Sequence, residues 1–294
     1  MELRCEGCAG CCVDWRPVDP DAAGEGDRGG RRPAVDDAYD LVPLTRDEVA
    51  RFLDRELGDV LVPRLFEAAT DDDRVTVDGT ELAAIRGRPA FVVGLRKTPK
   101  PVAPIGTDRL RWLDTCVFLD PTTLQCRIHG DAEYPRSCSA YPAHNLTLGS
   151  ETECERVEAA GGGDRLLDRS VPEETPPPPF GPQALGATVF AYPDPDDLNE
   201  VVERLRTGSP TDEDVARFVG AAVGSRPGSI DVDRERMADA EARARKADSW
   251  AGDAIDTWEA LSSGPGAPVV INEEHAGLVR RVEDDTGAPE TPGW

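Results

Sequence analysis

Cys5-Glu6-Gly7-Cys8-Ala9-Gly10-Cys11-Cys12 places four thiols within eight residues near the start of the chain. Cys116, Cys126, Cys138 and Cys154 complete the set of eight cysteines in 294 residues. Free thiols oxidise, so crowding of this kind points to disulfides or to metal. A disulfide framework belongs to small secreted chains. This chain is long and acidic, and Met1-Glu2-Leu3-Arg4-Cys5 lacks the apolar run of a secretory signal. Thiolate–metal chemistry is therefore the expectation.

A thiolate is a soft ligand suited to zinc or to iron–sulfur clusters, and a C-x2-C step lets two sulfurs on one turn meet one centre. Gly7 and Gly10 immediately precede Cys8 and Cys11, where small residues let backbone N–H groups approach sulfur. Three cysteines at x2, x2 spacing resemble the opening of a bacterial ferredoxin-type run. Cys12 follows directly, however, with no x3-C-P continuation, so a fourth ligand is expected from the distal group. Adjacent Cys11 and Cys12 are expected to point apart, serving two centres or leaving one as a spare or redox-active thiol. The predicted metal ligands are Cys5, Cys8, Cys11, Cys12, Cys116, Cys126, Cys138 and Cys154. An iron–sulfur cluster and Zn2+ both remain open as the cofactor.

The charge narrows the partners. The chain carries 57 acidic against 33 basic residues, a formal −24, and only Lys97, Lys100 and Lys246 are lysines. This acid-rich, lysine-poor balance resembles that of halophilic proteins, in which dense surface charge maintains hydration; elsewhere such self-repulsion destabilises the compact state. It argues against nucleic acid, which needs a basic surface, and against anionic lipid. No apolar run approaches the ~20 residues that span a bilayer, so no membrane association is expected and the cytoplasm is the expected compartment. A protein partner is left open.

Along the chain, residues 14–40 read as a mobile acidic loop, rich in Gly, Asp and Arg and poor in large apolar residues. Thr45-x-x-Glu48 is a capping box ahead of a helical pattern at Val49, Phe52, Leu53 and Leu57. A second helical piece is expected over Val60–Ala69 with Pro63 in its first turn. Asp78-Gly79 predicts a hairpin turn between Val75–Val77 and Leu82–Ile85. Phe91–Leu95 reads as a further strand. Val117–Leu119 and Leu124–Ile128 predict a short hairpin with Cys116 and Cys126 near its ends. Pro135 suits the first turn of a short helix carrying Cys138. Residues 161–183 are a Gly/Pro-rich linker. Beyond it, Asp197–Arg206, Thr211–Val223 and one long helix over Asp231–Leu261 make residues 184–278 mainly helical, and 279–294 is a loose tail. The fold expected is α+β: a cysteine-cluster metal-binding domain over 1–160, followed by a mainly helical C-terminal region.

These elements resemble the YkgJ-like CxxCxxCC family of zinc- or iron-chelating proteins. The resemblance rests on Cys5–Cys12, on Val42-Pro43-Leu44-Thr45-x-x-Glu48, and on the block from Cys116 to Pro142. That block reads Cys116-Val-Phe118-Leu119, Cys126-Arg-Ile128, Pro135-Arg-Ser-Cys138 and Tyr141-Pro142. Cys11-Cys12-Val-Asp-Trp15 and Cys126-Arg-Ile-His129 followed by Gly130 are similar to the flagellin lysine N-methylase branch. That branch implies an iron–sulfur cluster and methyl transfer from S-adenosylmethionine to protein lysine. Tyr134, Ser139 and Ala143 depart from positions where arginine is common in these relatives. Two functions follow: a cysteine-thiolate metal protein with a structural or redox role, or a cluster-containing lysine N-methyltransferase. The chain carries no obvious general base and no common S-adenosylmethionine loop, so the metal protein leads.

His129 and His144 read as outer-sphere donors or surface residues, and Asp71-Asp72-Asp73 as a solvated turn. No G-x-G-x-x-G follows a strand, and neither a P-loop nor a nucleophile elbow is present.

Overall fold

The computed structural model describes residues 8–14, 17, 41–69, 73–103, 110–161, 170, 171, 175, 177, 181–263 and 273–292. Cys5, Asp71-Asp72 and nearly all of the expected 14–40 loop lie outside these residues, as does much of the 161–183 linker. In chain order the elements are β1 (Leu41–Pro43), α1 (Arg46–Asp54), β2 (Leu61–Leu65), β3 (Arg74–Val77), β4 (Thr80–Ile85), β5 (Arg88–Val102) and β6 (Arg111–Cys116). There follow α2 (Arg136–Ser139), α3 (Ala143–Thr147), α4 (Glu153–Gly161), β7 (Phe190–Ala191), α5 (Val201–Arg206), α6 (Asp212–Gly224), α7 (Arg234–Ala244), α8 (Trp250–Ser263) and α9 (Glu273–Thr286). The fold is α+β, and its strand ladders are antiparallel.

The chain divides into two compact units, each built from separate stretches. One takes residues 31–96 and 179–249, the other 1–30, 97–178 and 250–294. We call them the sheet unit and the thiol unit. This differs from the contiguous 1–160 domain read from the sequence, and β5 is the reason. Its residues 88–96 pair inside the sheet unit, whereas 97–102 pair with β6 inside the thiol unit.

In the sheet unit, Pro89–Leu95 is a buried apolar run with β1, β2, β4 and β7 paired to it. Gly94 is required there, because a Cβ would lie 2.5 Å from both Val42 O and Leu41 Cδ1. The β3–β4 hairpin turns at Asp78 (φ 48°) and Gly79 (φ 79°), the left-handed pair that Asp-Gly favours. Thr45 and Glu48 cap α1 reciprocally, and Thr211 and Asp214 do the same for α6. The rings of Phe91, Phe190, Tyr192 and Phe218 pack with centroids 5.1–6.2 Å apart. Helices α6 and α7 approach closely at Gly220, where a Cβ would stand 2.6 Å from Met237 O.

Three expectations need correction. Residues 61–65 form β2, not a helix, and all five pair with β5; the β-branched and apolar side chains of Leu61-Val62-Pro63 are buried against the sheet rather than along a helical stripe. The long helix over 231–261 is two helices. Asp59 accepts hydrogen bonds from the Ser249 amide and hydroxyl, both at 2.8 Å, and this anchors the chain between α7 and α8. Met237 and Ala240 are then buried in the sheet unit, while Ala251, Ala254 and Trp258 are buried in the thiol unit. The expected loose tail over 279–294 is helical through Thr286: α9 buries Val279 and Val282 against Ala254 and Trp258.

Candidate metal centre

The thiol unit assembles its cysteines by backbone register. In the β5–β6 ladder Lys97 stands opposite Cys116. Pro99 and Pro101 occupy alternate positions in this part of β5, where their missing N–H groups leave the ladder intact. On the other side of β6, Val13 bridges Thr115 and the Asp14 amide donates to Asp114 O at 2.8 Å. That antiparallel register brings Cys12 beside Cys116. The loop after β6 folds back through a Leu119–Cys126 bridge and an Arg127 N–H bond to Phe118 O of 2.9 Å, which is the short hairpin read from the sequence. Pro135 then caps α2, which carries Cys138.

Gly10–Cys12 is a single 3-10 turn entered through Ala9 at φ 51°. This tight turn brings the Cys11 and Cys12 sulfurs within 3.9 Å of one another, contrary to the expectation that they point apart. The separation is far from the ~2.05 Å of a disulfide. Two thiolates bound tetrahedrally to one zinc, each at ~2.3 Å, would be separated by roughly 3.8 Å.

The thiols perturb one another. Burial pushes Cys138 well up, and Cys116, Cys11 and Cys126 add to the shift. Burial raises Cys126 to about 12, with further repulsion from Cys116 and Cys11. Cys12 is raised well above its ordinary value by its hydrogen bond with Cys11, by burial, and by the nearness of Cys116 and Cys138. Burial also raises Cys116 and Cys8. Cys11 goes the other way, held below its ordinary value by the hydrogen bond with Cys12 and by Lys97, which together with Lys100 also opposes the rise at Cys116. Burial raises the Tyr134 phenol, and Cys138, Cys126, Cys11 and Cys12 raise it further. Cys11, Cys12, Cys116, Cys126 and Cys138 thus share one electrostatic neighbourhood. Cys8 adjoins Cys11. Cys154, on α4, acts on Tyr141, whose hydroxyl accepts the Glu153 amide.

Among the described residues, no three Cys, His, Asp or Glu side chains are grouped so as to hold a metal ion. Cys11, Cys12, Cys116, Cys126 and Cys138 nevertheless converge, and Cys5 lies outside the described residues. His129 packs edge-on to Tyr134, with centroids 5.0 Å apart, so it borders the thiol neighbourhood.

Sequence reasoning missed the ion cluster behind the cysteines. Lys100 and Glu283 are each 1% exposed and form a salt bridge. Lys100 Nζ also donates to Val117 O at 2.7 Å and Leu119 O at 2.8 Å, holding the turn between Cys116 and Cys126. Arg127 Nε donates to Glu283 Oε2 at 2.8 Å, and Trp258 Nε1 to Glu283 Oε1 at 3.2 Å. The available signal was the scarcity of lysine: two of only three stand at Lys97 and Lys100.

No helix among the described residues is long and apolar enough to cross a membrane. The model of a family of unknown function (DUF7531) matches residues 1–294, and the chain belongs to that family. No curated protein and no solved structure matches the chain.

Proposed function

We propose that this member of DUF7531 is a cysteine-thiolate metal protein, holding zinc or an iron–sulfur cluster in the thiol unit in a structural or redox role. The observation that carries the reading is the register that sets Cys12 beside Cys116, with the Cys11 sulfur 3.9 Å from that of Cys12. Cys11, Cys12, Cys116, Cys126 and Cys138 form the proposed inner set, with Cys5, Cys8 and Cys154 as further donors. The donor chemistry fits a thiophilic cation: several buried sulfurs repel one another as thiolates, and bound positive charge reverses that repulsion. Such a metal would supply either a structural cross-link or one-electron chemistry. Around it, Lys97 offsets thiolate charge while Lys100 fixes the backbone between two of the ligands.

The resemblance to CxxCxxCC proteins supports the same reading. The test is metal analysis with absorption spectroscopy after anaerobic purification. Stoichiometric iron with a visible charge-transfer band assigns a cluster, and a colourless protein with stoichiometric zinc assigns the structural site. Cys116→Ser and Cys12→Ser are expected to lose most of the metal. A wild-type protein that retains neither metal, even after reconstitution, overturns the proposal. Calorimetry with S-adenosylmethionine separates the methyltransferase alternative: tight binding promotes it and no binding removes it.

A further inference from the structure

The sheet unit contains a cavity of about 280 Å3 lined by Arg88, Pro193, Arg226, Asp231, Val232 and Arg234. Three guanidinium groups against one carboxylate give it a cationic wall in a chain whose formal charge is −24. Carboxylates are plentiful enough that Arg74, Arg127, Arg204, Arg243 and Arg245 each form an ion pair. Among the described residues, Arg88, Arg226 and Arg234 pair with no carboxylate, and Asp231 leaves all three unpaired.

The wall is fixed by the backbone. Ser225 and Val232 form an antiparallel bridge, and within the loop they close, the Arg226 amide donates to Asp231 O at 3.0 Å. The Gly228 amide donates to Leu185 O at 2.7 Å. Gly186, at φ +67°, lies so close to this loop that a Cβ would stand 2.2 Å from Arg226 O. Arg88 enters from β5 and donates to Ile230 O at 2.6 Å. Arg234 opens α7, whose first turn is capped by Asp233. The backbone that carries the three arginines is thereby fixed and the Arg88 guanidinium is itself held, while Arg226 and Arg234 extend from it with exposed side chains free to close on a ligand.

We infer that this cavity binds a small oxyanion of the phosphate class, as the free ion or as the terminal group of a small phosphate ester. Each guanidinium offers a donor fork that matches an oxyanion. A tetrahedral dianion presents oxygens to all three, whereas one carboxylate has only two. The cavity has room for a phosphate and a short attached group. The site takes no residue from the thiol unit, so its failure leaves the metal reading untouched.

Calorimetry on the full-length protein at constant ionic strength tests this with inorganic phosphate, ribose 5-phosphate and succinate. Saturable one-site phosphate binding is expected. The double variant Arg226→Gln/Arg234→Gln should weaken it about tenfold or more, the usual effect of losing charge-assisted hydrogen bonds. Both side chains are exposed, so circular dichroism should show an unchanged fold. Arg206→Gln, which breaks an exposed ion pair elsewhere in the unit, should leave binding as it is. Tighter binding of ribose 5-phosphate than of phosphate assigns an ester, and equal or weaker binding assigns the free ion. Absence of phosphate saturation, full retention of binding by the double variant, or equally tight succinate binding overturns the inference.

Discussion

The two units solve the problem of a stable interior with different materials. In the sheet unit Phe52, Phe91, Phe190 and Phe218 are wholly buried, and packed rings exclude water without needing polar partners. In the thiol unit the interior holds Lys100, Glu283, Arg127, Cys8 and Cys116. Buried charges contribute little net stability even when paired, because desolvation offsets their attraction. Neutral thiols pack as small apolar groups but make weak hydrogen bonds. The contrast teaches that one unit closes chiefly through hydrocarbon, with Glu48 and Asp214 buried as helix-capping exceptions, whereas the other buries charge and sulfur, the setting in which the proposed cation would act.

The largest effect that could break this contrast is removal of the proposed metal. Structural thiolate zinc contributes on the order of 10–16 kcal/mol in small domains. Chelation under reducing conditions should therefore strip hydrogen-exchange protection from β6, α2, α8 and α9 while α6 and α7 keep theirs. All five tryptophans fall in the stretches of the thiol unit, so indole fluorescence should follow this loss alone. Equal loss of protection in both units would show that they do not differ as described.

Next in size is the ion cluster. Glu283→Gln leaves Lys100 and Arg127 buried without their shared carboxylate, and breaking a buried pair from one side costs about 3–5 kcal/mol. Urea unfolding followed by tryptophan fluorescence should show the drop. A double variant, Lys100→Met with Glu283→Met, should recover part of it. If the single change costs less than about 1 kcal/mol, the cluster is solvated and the thiol unit is less polar inside than the geometry indicates.

How much of this could be read beforehand follows the same divide. Local signals were legible where neighbouring residues decide the outcome. The capping box at Thr45, the Asp78-Gly79 turn and the Pro135 helix start each depend on a few adjacent groups. Periodicity failed where distant contacts decide. Leu61–Leu65 has an apolar pattern short enough for strand or helix, and pairing with β5 selects the strand. Asp231–Leu261 reads as one helix, but Asp59, far away in sequence, anchors Ser249 at the break. The division at Lys97 was hidden because a strand that serves two units has no composition boundary. The cysteines were visible as a set, but their meeting depends on a bridge between Val13 and Thr115 across about a hundred residues of chain, for which the spacing holds no information.

The smallest effect sharpens the comparison from the other side, because it concerns the few charges that the sheet unit does bury. Burial favours the neutral form of Asp214, but hydrogen bonds from Arg204 and from the Thr211 amide and hydroxyl outweigh it and hold the carboxyl down at about 2. The folded value lies below the ordinary 3.8, so the carboxylate contributes stability above that value and loses it as pH falls through about 2. The contribution is about 1–2 kcal/mol once solvent screening of the half-exposed Arg204 is allowed for. Amide exchange in α6 should accelerate over this acid window, and Asp214→Asn should flatten the dependence while its side-chain oxygen still caps the helix. The same titration followed by tryptophan fluorescence reports the thiol unit, where Asp214 has no part. A fluorescence transition that tracks Asp214→Asn would mean that the two units unfold as one, and that the difference in their interiors does not separate their stabilities.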